Sequence, residues 1–128
     1  LQSLEVSKFN ELAKEKRLMI DNYEKAMELL KKMENHIPIP IIFTKNLQNC
    51  LRQNNIAPSE NNQFQIESVH YMGDEGGICC EISLPEGSEE SLVISMTHLK
   101  ISSKHILAKE VKSYQKRRIK KLARLHKS

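Results

Sequence analysis

The stretch FQIESVHYMGDEGGICCEISLPEGSEESLVISMTH, residues 64–98, decides how the rest of the chain is read. Phe64, Ile66, His70 and Met72 alternate with residues such as Gln65 and Glu67. Ile78, Cys80, Ile82 and Leu84 alternate next, then Leu92, Ile94, Met96 and His98 against Val93, Ser95 and Thr97. A period of two over runs this short is the signature of half-buried strands. The runs are separated by two turn clusters, Gly73-Asp74-Glu75-Gly76-Gly77 and Pro85-Glu86-Gly87-Ser88-Glu89-Glu90, so the connections are too short for parallel crossovers. Three antiparallel strands in a meander are expected, with one apolar face that helices must cover.

Towards the N-terminus, Ile56-Ala57-Pro58-Ser59-Glu60-Asn61-Asn62 reads as a loop. Thr44 is placed to cap a short helix through about Asn54, with Leu47, Cys50 and Leu51 on one face. His36-Ile37-Pro38-Ile39-Pro40 forces an extended path, because alternate prolines exclude a helix.

Residues 4–35 read as one long helix capped by Ser3. Phe9, Leu12, Lys16, Met19, Tyr23, Ala26, Leu30 and Met33 recur at alternating spacings of three and four, a heptad seam breached at Lys16. Pairs such as Asp21–Lys25 and Glu28–Lys32 run in the favourable direction for a helix. Such a helix would be about 48 Å long, against about 32 Å for a globule of the remaining residues. Either it bends back onto its own sheet or a second chain covers its apolar ribbon. Phe9, Leu12, Met19, Tyr23, Ala26, Leu30 and Met33 are therefore the candidate seam of a homo-oligomer, a dimer above all.

Towards the C-terminus, Ser102 or Ser103 is placed to cap a last helix through about His126. Its apolar side is Leu107, Val111, Tyr114, Leu122 and Leu125, with Arg118 falling among them. An arginine there either snorkels or meets a carboxylate such as Glu81. The expected fold is α+β in the order α-α-β-β-β-α. Residues 1–36 form a coiled-coil-like helix, residues 37–128 form a small α+β domain ending in a basic helix, and together they make one structural unit.

Charge is segregated. Residues 104–128 carry ten Lys/Arg and the single acid Glu110, whereas the rest of the chain is net acidic and the overall charge is only +4. Lys109, Lys112, Lys116, Arg117, Lys120, Lys121, Arg124 and Lys127 form a candidate surface for a nucleic acid or another polyanion, including an acidic protein. The bland reading is a solvated helix face whose cations complement the helix dipole or pair with acids of the chain's own body. Aromatic residues are too few to interleave with the cations as in a single-strand stacking platform.

Other chemistry finds little support. No run of about 18 apolar residues marks a membrane span, and the charged first thirty residues do not resemble a signal peptide. The odd count of three cysteines, Cys50, Cys79 and Cys80, fits reduced thiols in a cytoplasmic compartment. His70 is expected opposite Cys79 or Cys80, and His98 near the other end of the same face. A Cys–His pair is the start of an activated thiolate or a zinc site. Neighbouring strand residues point to opposite faces, however, and further ligands are lacking, so core residues are the better reading. The glycine-rich cluster carries two acids and joins strands, unlike a phosphate loop. No catalytic residue, metal site or cofactor is expected. The chain reads as a non-enzymatic interaction module that self-associates through residues 4–35, with polyanion binding by the basic helix as the alternative.

Overall fold

Three helices and four strands make up the residues that the computed structural model describes, 20–56, 63–83 and 91–126. In chain order they are α1 (Tyr23–Glu34), β1 (Ile39–Ile41), α2 (Lys45–Gln53), β2 (Phe64–Tyr71), β3 (Ile78–Ser83), β4 (Ser91–Ser95) and α3 (Ala108–His126). The strands form one antiparallel sheet in the order β1-β2-β3-β4. The class is α+β as expected, but there are four strands rather than three, in the order α-β-α-β-β-β-α.

The additional strand is β1, inside the proline pair. Ile39 and Ile41 are buried and pair with Ile66 and Phe64, while Pro40 faces out. Proline lacks a ladder donor and is tolerated on a sheet edge, which is where β1 lies.

α1 is shorter than the periodicity implies. Asn22 is extended, and its side chain accepts a hydrogen bond from the Lys25 amide at 3.1 Å. That is an N-cap, so no continuous helix runs from 4 to 35: heptad spacing is blind to a polar cap between two apolar positions. Phe9, Leu12, Lys16 and Met19 lie outside the described residues, as does the second turn, 84–90. Of the expected ion pairs, Glu28–Lys32 forms at 3.6 Å, whereas Asp21 lies ahead of the helix and is bound to Arg118 instead.

β2 changes parity midway. Its register against β3 shifts between Ile66 and Ser68, which inserts an extra residue at Glu67. Val69 and Tyr71 consequently join Phe64 and Ile66 on the apolar face, opposite Cys80 and Ile78. His70 is turned to the outer face and exposed, and Met72 is 56% exposed, so neither belongs to the core side expected for them.

The core lies between that face and the helices. α1 contributes Ala26, Leu29, Leu30 and Met33, α2 contributes Leu47 and Leu51, and α3 contributes Val111 and Tyr114, with Leu107 just ahead of it. The Thr44 cap of α2 forms as expected, its Oγ1 accepting from the Leu47 amide at 3.1 Å. Ser102 caps a turn instead of α3: its Oγ accepts from the Lys104 amide, and α3 begins only at Ala108.

Candidate functional site

α3 is fixed to the body by a buried charge cluster on its inner side. Leu107, Val111, Tyr114 and Arg118 follow at spacings of four, three and four, so the arginine points inward with the apolar residues. Its Nη1 donates to Asp21 Oδ2 at 3.0 Å, and its Nη2 donates to the Asp74 carbonyl at 2.8 Å. Both charged side chains are almost wholly buried, at 4% and 3% exposure. The hydroxyls of Tyr71 and Tyr114 donate to the same carboxylate oxygen at 3.2 and 3.1 Å. Tyr114 also accepts from the Ile78 amide at 2.9 Å.

This cluster ties together the residue before α1, the β2–β3 turn, β3 and α3. Gly77 lies against it with φ +65°, and a Cβ there would collide with the Tyr114 hydroxyl, Arg118 Nη1 and Asp21 Oδ2. Burial above all holds the Tyr71 hydroxyl well above the ordinary phenol range, and the Asp21 charge adds to it. Burial does the same for Tyr114, against the opposing bond from the Ile78 amide. A buried ion pair is tolerable when further hydrogen bonds support it, and here the two tyrosine hydroxyls reach Asp21 Oδ2 and the Asp74 carbonyl accepts from Arg118.

The outer side of α3 carries charge without partners. Lys109, Lys112, Lys116, Arg117, Lys120 and Arg124 are exposed and Lys121 is half-buried; Lys127 lies outside the described residues. The helix's single acid, Glu110, is taken by Lys32 of α1 at 3.1 Å. Among the described residues no carboxylate forms an ion pair with any of the seven cations. Among the described residues, a cation of α3 is neutralised by an acid of the body at Arg118 and not elsewhere.

The cations fall on two flanks. Arg117 and Lys121 stand beside Lys25 of α1. Lys109, Lys112 and Lys116 line a groove of about 560 Å³ between α3 and the segment 97–103, to which Lys100 adds a fourth lysine. Gln115 holds that segment to α3, donating to the Met96 and Leu99 carbonyls at 2.6 Å each. Leu99, Ile101, Val111 and Ile119 give the groove apolar area, and among the described residues no acidic one lines it.

The candidate seam divides. Ala26, Leu30 and Met33 are buried in the chain's own core, and Tyr23 packs edge-on against Tyr71 with centroids 5.8 Å apart. Phe9, Leu12 and Met19 are not among the described residues. His70 does stand opposite Cys79, but on the outer face, where its Nε2 lies 3.3 Å from Ser68 Oγ. Burial pushes the Cys79 thiol up despite nearby Arg118, and pushes Cys80 up to about 12. Both shifts oppose thiolate formation. Among the described residues no three His, Cys, Asp or Glu side chains are grouped to hold a metal ion.

Of the two expectations for Arg118, snorkelling or a carboxylate such as Glu81, the carboxylate holds, but it is Asp21. The usable signal was the arginine at an apolar register position, which demands a buried carboxylate. Asp21 was hidden because it had been assigned to the outside of a continuous helix. Compared with known protein families, with curated proteins and with solved structures, the chain matches none. Among the described residues no helix is long and apolar enough to cross a membrane.

Proposed function

We propose that this protein is a non-enzymatic binding module that engages the phosphate backbone of a nucleic acid through the outer side of α3. The supporting observation is the set of seven cations, Lys109, Lys112, Lys116, Arg117, Lys120, Lys121 and Arg124, which form no ion pair with a carboxylate among the described residues, on a helix whose inner side is anchored. Lysines three or four residues apart recur every ~4.5–6 Å along a helix, a repeat of charge that carries no base information. Such a face supplies affinity through counterion release and reads no sequence by itself.

Fluorescence anisotropy with a labelled oligonucleotide of mixed sequence tests this reading. The expected result is binding at low salt that weakens steeply as salt rises, and loss of most of it in the variant Lys116→Glu/Lys120→Glu. Both side chains are exposed, so the variant should keep its fold, which circular dichroism checks. Absence of binding at low salt, or affinity that the charge reversal leaves unchanged, contradicts the proposal.

A further inference from the structure

We infer that the groove between α3 and the segment 97–103 seats an unpaired nucleic-acid strand, with phosphates on its lysine rim and base faces on its apolar floor. The inference rests on the reading of α3 as a nucleic-acid face and says which form of nucleic acid it prefers.

Charge and apolar area coincide in this groove. Lys109, Lys112 and Lys116 stand on the α3 wall and Lys100 on the facing wall, with no acid between them among the described residues. The ligand must therefore be anionic towards both walls. Ile119 lines the same groove and is 52% exposed, although it lies between Lys116 and Lys120. Neutralising a duplex backbone asks only for charge, because a duplex hides its base faces. An unpaired strand presents phosphates and base faces together, and burying a base face on Ile119, the floor residue with exposed apolar area, is favourable by the ordinary apolar term. The N-terminus of α2 opens on the groove at Thr44 and Asn46, adding the positive end of a nine-residue helix. A volume of about 560 Å³ is ample for a nucleotide-sized group.

The floor is held in shape. Gln115 bonds two carbonyls of the facing segment, and the Ile42 amide donates to the Lys100 carbonyl at 2.8 Å. Lys100 thus projects from a segment tied to both α3 and the end of β1, and the groove exists before any ligand arrives. An acidic amphipathic peptide shares part of this chemistry. The cationic repeat continues past the groove to Lys120 and Arg124, which suits a uniformly charged strand better than a peptide with its acids on one side.

The test compares a single-stranded 12-nucleotide oligomer of mixed sequence with the same sequence as a duplex, at one salt concentration, on the full chain. The expected result is about fivefold or tighter binding of the single strand, in keeping with the burial of one apolar contact. Ile119→Ser, which removes apolar area and no charge, should lower single-strand affinity and leave duplex affinity nearly unchanged, and Lys100→Ala, which removes a rim cation from outside α3, should lower single-strand affinity by a larger factor than duplex affinity. Equal or tighter duplex binding, or variants that weaken both forms alike, overturns the groove assignment while the α3 reading stands. Salt-independent binding, or none, to either form removes both. Binding of an acidic amphipathic peptide that Lys100→Ala abolishes, with no oligomer bound, gives the groove to a protein partner and overturns the inference.

Discussion

Arg118 shows how one residue sets the placement of a whole helix. A buried guanidinium costs several kcal/mol of desolvation, offset here by the Asp21 carboxylate, the Asp74 carbonyl and the two tyrosine hydroxyls on the same carboxylate. Removing one partner leaves the other buried and unpaired. Asp21→Ala and Arg118→Ala should therefore each cost ~3–5 kcal/mol. The double variant should cost clearly less than the sum, as chemical denaturation of the four proteins would show. Gly77→Ala should cost about 1–3 kcal/mol from its left-handed φ alone, and more from the collision with Arg118. Alkaline pH tests the same interior. Tyr71, Tyr114 and Cys80 all hold their protons more tightly when folded. Above about pH 9 the unfolded chain loses protons that the folded chain keeps, so stability should fall as pH rises, through the Cys80 value of about 12. Thermal midpoints measured from pH 8 to pH 11 should decline, and Cys80→Ala should flatten part of that slope. A midpoint independent of alkaline pH would contradict the burial of these groups.

Each element was legible in the sequence where one local rule governed it. Thr44 before Leu47 and Leu51 gave α2 its start and its buried face, and the alternation of Ile78, Cys80 and Ile82 gave β3 its core side. The failures came where two rules competed. Glu67 is an added residue in β2, and no period-two count reveals that the apolar side moves from even to odd positions after it. Pro38 and Pro40 imply an extended path without saying whether it pairs, and an edge position lets it pair as β1 despite Pro40. Asn22 was passed over because the heptad pattern ran through it, and with it went the pairing of Asp21. The basic face is legible as a charge pattern; that its cations pair with no carboxylate among the described residues is not, because partner choice depends on tertiary placement. Both caps carry a direct prediction. Asn22→Ala and Thr44→Ala should each cost ~1 kcal/mol, measured as a shift of the denaturation midpoint at unchanged slope. No shift for Asn22→Ala would argue that α1 does not begin there.

Across the whole molecule, the division of charge follows from the fold. The basic helix spends Arg118 and Glu110 on attachment, to Asp21 and Lys32, and keeps its remaining cations outside. Binding and stability should then separate: Lys112→Ala, Lys116→Ala and Lys120→Ala, on exposed positions, should leave stability within about 0.5 kcal/mol while weakening oligonucleotide binding. Arg118→Ala should do the reverse first, loosening α3 and only thereby its surface. The central claim, that the outer side of α3 neutralises phosphates, is tested most directly by the salt dependence of single-strand affinity. If about four phosphates are neutralised, the slope of log K against log salt should be about −3, and each alanine substitution on the face should make it shallower by about 0.7. A slope near zero, or one that the substitutions on α3 leave unchanged, would contradict the account.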